Sequence, residues 1–480
     1  MEGENIFILF LEVYFLFVSC ILLLGSSLYA TLPPMSSLLL HGALLVSGGV
    51  ESREDVLVED GIVKEIAKYI EEYDEEMDLT GKVLLPGLID CHVHFREPGL
   101  EHKATMATES ASAIAGGVTT VCEMPNTIPP TVTVSALADK VRRADALEET
   151  RNKIQETNVD MRFFFGITQN IHLATLIELF ESSADESRRL RARIAGVKIY
   201  LDHSTGDQKI EDALLDDVFA MCAKHHITLV AHCEDPEENA KAAAQNTRTN
   251  IAAHSLIRPA TSEVIAIEKA IALAKKHGTH FHVAHLSTEG GVDLVRKAKA
   301  EGLHITCEVA PHHLFLTTDD YERLGTLAKM NPPLRSHKHR LALWAGIADK
   351  TVDCISTDHA PHTLEEKNNA EPLKAPSGVP GVETMLPLLL SVALGHWPHP
   401  TEKISCPTLT FRDIVRLCFE NPNRIFHLGK HDIEKGQRAD IVIIDPNVEW
   451  TIEGKNLHSK CGWTSFEGWK VKGKVVRVIR

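Results

Sequence analysis

Eight short apolar runs, at residues 83–89, 118–123, 161–166, 196–201, 228–231, 280–284, 304–308 and 352–356, alternate with helix-patterned stretches. Near-continuous apolar strands of roughly four to eight residues, separated by helices, are what a parallel sheet covered on its outer face requires. Eight such units predict an α/β fold, a (β/α)8 TIM-type barrel over 85–420, whose chemistry belongs where the strands end. Outside it the texture changes. Residues 38–83 read as short strands broken by Gly48-Gly49 and Asp60-Gly61 turns, and the stretches 439–444 and 470–479 repeat that pattern. The two chain ends, 35–84 and 421–480, therefore predict one small β-sandwich domain. A chain of 480 residues accommodates both units.

Residues 1–34 stand apart as a hydrophobic extension. The run 6–24 is interrupted by Glu12 and is long enough for a membrane anchor or signal sequence. Glu2 and Glu4 precede it where a basic flank belongs, and Met35 opens a segment that already reads as the first strand. The expected reading is an over-extended start on a cytoplasmic protein, with a membrane anchor as the alternative. A net charge of −16 without clustered Lys and Arg excludes a general nucleic-acid binder. The ten cysteines form no Cys-x-x-Cys pair, which argues against a zinc ribbon or redox motif and for reduced thiols.

Polar residues collect at the strand ends. His92 and His94, two apart at the end of the first strand, point to one face and can grip one ion. Neutral imidazole is a common zinc ligand. On spacing alone the pair reads equally well as two partly buried strand histidines. The remainder of the chain decides between these readings. Met124-Pro125-Asn126 follows the second strand, Lys198 lies inside the fourth, His232 closes the fifth, His285 the sixth and Asp358 the eighth. Packing needs alone do not place four His, one Lys and one Asp on a single face. Lys198 interrupts a buried strand, where a free ammonium is costly to desolvate, and a pairing with a strand-end carboxylate is the other reading. His225, His226 and the pair His280 and His282 carry no ligand pattern and read as surface or strand histidines, and Glu71 to Glu76 reads as a solvated turn.

Over 35–480 the chain resembles the amidohydrolase superfamily and, within it, the type I dihydroorotases. The resemblance is carried by Asp90-Cys91-His92-Val93-His94-Phe95-Arg96, Met124-Pro125-Asn126-Thr127, Val283-Ala284-His285-Leu286-Ser287, Asn331-Pro332-Pro333-Leu334-Arg335 and Asp358-His359-Ala360-Pro361-His362. It implies two Zn2+ ions, one held by His92, His94 and Asp358 and the other by His232 and His285, bridged by hydroxide and a carboxylated Lys198. The stretch 198–206 resembles the carbamate-using branch, and Asp202 is the weaker substitute for Lys198. Manganese or cobalt would also suit this donor set.

By the same resemblance Asp358 takes the hydroxide proton and delivers it to the leaving ring nitrogen. Arg96 offers a planar fork to an exocyclic carboxylate, with Asn126 and His362 sharing it, Asn331 on the ring amide, and loop backbone near Gly378 on the ring's polar edge. His312 and His313 are assigned supporting contacts only. The implied activity is reversible conversion of L-dihydroorotate and N-carbamoyl-L-aspartate in pyrimidine (UMP) biosynthesis. A homodimer and association with aspartate carbamoyltransferase belong to the same family expectation. Two rivals stand beside it. An allantoinase or dihydropyrimidinase-like pocket would keep the metal set, but Arg96 argues against it; a catalytically silent scaffold barrel usually lacks the ligands, and all six are present here.

Overall fold

The apolar runs fold as strands buried along nearly their whole length, because the barrel packs them between interior side chains and a shell of helices. The computed structural model describes residues 37–151, 159–204 and 208–480. The extension 1–34 with its apolar run 6–24, Met35, and Thr205 and Gly206 lie outside the described residues. Among the described residues no helix is long and apolar enough to cross a membrane.

The barrel strands are β1 (Leu88–Val93), β2 (Val118–Glu123), β3 (Asp160–Gly166), β4 (Ile194–Tyr200), β5 (Leu229–His232), β6 (Phe281–Val283), β7 (Ile305–Val309) and β8 (Cys354–Ile355). Each pairs in parallel with the next, from β1 through β8 in chain order. Closure falls just past β8. Val93 pairs with His359, whose carbonyl accepts from His94 N at 2.7 Å, and the Asp90 carboxylate accepts from Thr357 N at 3.0 Å. The connecting helices begin and end on local signals. Thr105 caps Met106–Ala115, Thr288 caps Glu289–Ala300, and Ala260–His277 stops at left-handed Gly278 behind a basic last turn.

The small domain is built from both flanks. A four-stranded sheet holds Leu38–His41 between Asp55–Glu59 and Glu75–Asp78, with Ile62–Ala67 on the outer edge. A five-stranded sheet runs Lys470–Ile479, Ile441–Thr451, Val83–Pro86, Leu44–Ser47, Val50–Ser52. Leu40, Val56, Leu84, Ile441, Ile443 and Ile479 form the apolar layer between them. Gly48-Gly49 and Asp60-Gly61 make the expected two-residue turns, all four residues having positive φ.

One strand is longer than expected. The run expected to end near 444 continues to Thr451, its register against Lys470–Ile479 shifting between Asp445 and Glu449. Asp445-Pro446-Asn447 forms a bulge in this ribbon, which packs on the barrel helix Met385–Ala393. At Gly473 (φ 90°) a Cβ would sit 2.9 Å from Leu390 Cβ. Just past 420, helix Asn421–Ile425 lies on the barrel floor: Asn421 Nδ2 donates to Asp353 O at 2.8 Å, and Ile425 O accepts from Thr228 Oγ1 at 2.7 Å.

Candidate metal centre and active site

Strand geometry places the site. His92 within β1 and His94 just beyond it turn to the same side, their rings 5.3 Å apart. Both Nε2 atoms face one oxygen of Asp358, His94 at 2.9 Å and His92 at 3.3 Å. From the other side His232, closing β5, brings Nδ1 to 3.0 Å from Nε2 of His285. Donor atoms of His92, His285 and Asp358 lie within 4.8 Å of one another. Lys198, in register with Val230 on β5, enters the same cleft from β4.

Three of the four imidazoles are held by the far nitrogen, and His285 Nδ1 is buried without a hydrogen-bond partner among the described residues. Glu308 at the end of β7 binds His92 Nδ1 and also contacts His282 Nε2 (3.3 Å) and His285 N (3.2 Å). Glu234 accepts from His232 Nε2 at 2.7 Å, and Arg258 clamps that carboxylate through Nε and Nη2 at 3.0 and 2.6 Å. Asn126 Oδ1 takes the Nδ1 proton of His94 at 2.5 Å. The tautomers follow: His92 and His94 present bare Nε2, His232 bare Nδ1, and Asn126 keeps its amide N–H groups for the cleft.

Electrostatics suit cation binding. Burial first, then Arg96, holds His94 well below the usual imidazole range; burial, then His232 and Lys198, does the same to His285. Both imidazoles are neutral. Burial also raises the Asp358 carboxyl and lowers the Lys198 amine to about 8. Among the described residues the Lys198 Nζ is buried with no hydrogen-bond partner, and no carboxylate pairs with it at salt-bridge distance. A buried amine without a partner, set among bare imidazole nitrogens and a carboxylate, fits a metal pair with an anionic bridge formed on that lysine. Asp202 is turned away from this centre, toward Asn239 Nδ2 (2.7 Å) and Arg258 (3.3 Å).

The other expected residues assemble around this group. Arg96, Asn126, Asn331 and Gly378 line the cleft with the six candidate ligands; His362 lies behind Arg96. Arg96 is 3% exposed, with Nε donating to Pro361 O at 3.0 Å and Nη2 lying 3.1 Å from His362 Nε2. Lys103 Nζ can only donate, so His362 Nδ1 accepts it at 3.0 Å and His362 Nε2–H donates to Ser377 O at 3.1 Å. The Arg96 Nη2 group beside it is thus left for a ligand. Asn331 Oδ1 is engaged by His254 Nε2 (2.9 Å) and Ser377 Oγ (3.2 Å), which points Nδ2 toward Ser204 and the cleft. Gly378 has both backbone groups occupied, N–H by Lys329 O and C=O by Lys367 Nζ. Its contribution is space: a Cβ there would meet Ala360 O at 2.6 Å.

Several residues were not read from the sequence. Glu308, Glu234 and Arg258 orient the imidazoles, and Tyr200, Ser204 and Ser377 line the cleft. His282, expected as a surface or strand histidine, is a fully buried strand residue that holds Glu308. A carboxylate inside the apolar run 304–308 was the available signal, of the same kind that singled out Lys198. His313 Nε2 binds Pro332 O at 3.0 Å, and neither it nor His312 lines the cleft. Three non-glycine site residues, Arg96, His285 and Asp358, have positive φ, a costly backbone state that clusters where function demands it.

This barrel, with its strand-end His, Lys and Asp, defines a class. The amidohydrolase family profile matches residues 83–480, and the chain belongs to that family. Among curated relatives it is similar to the dihydroorotase of Halobacterium salinarum, 41% identical over 80% of this chain and 82% of the relative. It is also similar to the dihydroorotase of Brevibacillus brevis, 35% identical over 92% of this chain and 96% of the relative. Among solved structures, L-hydantoinase (dihydropyrimidinase) from Arthrobacter aurescens aligns with a TM-score of 0.81 at 28% identity, covering 92% of this chain and 94% of that one.

Proposed function

We propose that the protein is a dihydroorotase, a cyclic amide hydrolase that interconverts L-dihydroorotate and N-carbamoyl-L-aspartate in pyrimidine biosynthesis. The observation that carries this reading is the buried Arg96 guanidinium in the same cleft as the metal-type donors. A planar fork in that position matches an exocyclic carboxylate, and a neutral-ring pocket has no use for a buried cation there.

His92, His94 and Asp358 would hold one zinc and His232 and His285 the second, with Lys198, once carboxylated, as a further anionic ligand. Bound there, the metals supply an activated water and polarise the ring-amide carbonyl. The remaining steps belong to the chain's own groups. Arg96 pairs with the substrate carboxylate, joined by the amide N–H groups of Asn126. Asn331 Nδ2, fixed by His254 and Ser377, donates to a ring carbonyl. Asp358 takes the proton of the attacking water and passes it to the leaving ring nitrogen, a transfer favoured by burial, which raises its carboxyl. Ring closure runs the same transfer backward. The lowered Lys198 pKa, about 8, supplies the neutral amine that carboxylation by CO2 requires. Cytoplasmic residence suits the nine described cysteines, all unpaired. A homodimer, or association with aspartate carbamoyltransferase, is the proposed assembly, read by light scattering with and without that enzyme.

The test is turnover of L-dihydroorotate, allantoin and dihydrouracil by the full chain supplied with zinc and bicarbonate. Dihydroorotate alone should be used, and Arg96→Ala should lose about 2–3 kcal/mol of transition-state binding, roughly 30- to 150-fold in kcat/KM. Use of allantoin or dihydrouracil instead would overturn the pocket assignment. No turnover by zinc-loaded protein would leave a silent scaffold.

A further inference from the structure

Behind the cleft, the turn 376–378 is held by a lysine that the reaction scheme does not use. Lys367 is fully buried, and its Nζ lies 3.0 Å from each of three carbonyl oxygens, those of Lys329, Pro376 and Gly378. Three acceptors require three N–H groups, which an ammonium has and a neutral amine lacks. Among the described residues no carboxylate pairs with it. Instead its surroundings are cationic: burial, then Lys329 and Arg96, push its pKa well below the usual lysine value. The one aromatic contact is the Trp463 ring, 5.6 Å from Nζ, whose Nε1 in turn donates to His362 O at 2.7 Å.

The neighbours repeat the theme. Lys329 Nζ donates to Leu373 O at 2.8 Å and Ala375 O at 2.5 Å, again to carbonyls. Lys103 has a carboxylate partner, Glu366, at 3.1 Å. Four cations, Arg96, Lys103, Lys329 and Lys367, thus gather at and behind this side of the cleft; Arg96 faces Asp358, Glu123 and Glu366, while Lys329 and Lys367 meet only carbonyls among the described residues. Buried positive charge without a counter-ion is costly, and an anion bound beside Arg96 relieves the cost.

We propose that Lys367 is a positioning and specificity-determining residue: its ammonium ties the 376–378 turn to Lys329 beside Arg96 and, lacking a carboxylate of its own, favours a ring that brings one. The inference rests on the dihydroorotase reading and adds a residue that touches no substrate atom. Its two parts separate chemically. Lys367→Met removes both the donors and the charge, whereas Lys367→Gln keeps two donors and removes the charge.

The experiment compares kcat and KM of the zinc-loaded full chain for L-dihydroorotate and for its neutral carboxamide. In the parent the acid should be preferred. In Lys367→Gln that preference should fall by about tenfold or more, through KM for the acid, with kcat for the carboxamide retained; in Lys367→Met, which also frees the turn, kcat for both rings should fall as well. A preference within twofold of the parent in Lys367→Gln would overturn the proposal. A parent that turns over neither ring overturns the functional reading instead. Should neither Lys367 variant fold, Glu366→Gln removes the carboxylate paired with Lys103 and should raise the preference for the acid; an unchanged preference counts against the proposal.

Discussion

Glu308 on β7 grips Nδ1 of His92 on β1, so one buried carboxylate sets which nitrogen the first strand offers to the cleft. Burial alone would raise this carboxyl, but the His92 and His282 rings overcome that and hold it well below its usual range. It is an anion under a site that needs a cation.

Glu308→Gln keeps the shape and removes the charge. Zinc affinity should drop about 10- to 100-fold, the usual cost of losing a partner that orients a metal-binding imidazole. Competition with a chromogenic chelator reads it; unchanged affinity would show that Glu308 serves packing alone.

Lys198→Ala should lose the anionic bridge. We expect metal content to fall below two ions per chain and activity to vanish, while the parent, stripped by chelator, should regain activity faster when zinc is returned with bicarbonate. A carbamate carbon signal after labelling with 13C-bicarbonate, seen in the parent and missing in the variant, is the direct check.

Gly378→Ala places a methyl group 2.6 Å from Ala360 O at a residue with φ of 138°. The turn must shift away from Arg96 and His362. Turnover of dihydroorotate should fall about tenfold or more from misplacement, with metal content unchanged. Equal activity in the two proteins would show that this turn tolerates movement.

Asp160 at the start of β3 meets Lys430 and Arg480, the latter at 3.2 Å, and so ties the barrel to the chain's end. Burial would raise its carboxyl, but Lys430 and then Arg480 hold it well below the carboxylate range. A depressed folded pKa means that stabilisation is complete above the unfolded value near 4 and is lost as pH falls through the lower folded value. Asp160→Asn should cost roughly 1–3 kcal/mol at pH 7, with the gap to the parent narrowing below pH 4. Denaturant midpoints at both pH values measure it, and a gap independent of pH would assign the loss to packing.

Much of this protein was legible along the chain. Eight apolar runs between helical patterns determine the barrel, because a strand buried on both faces must be apolar throughout. His92, His94, His232, His285 and Asp358 stood out as polar residues at the ends of such runs, and Asp60-Gly61 read as a hairpin turn since both positions need positive φ. Tertiary structure alone decided which groups hold those residues. Glu308 reaches His92 only because closing the ring brings β7 under β1, Arg258 reaches Glu234 from the bend after helix Ala253–Ile257, and Lys367 meets Gly378 only through the folded turn. Local periodicity records which side of a strand is buried; it carries no information about partners on other elements, which hydrogen-bond geometry selects once the barrel has closed.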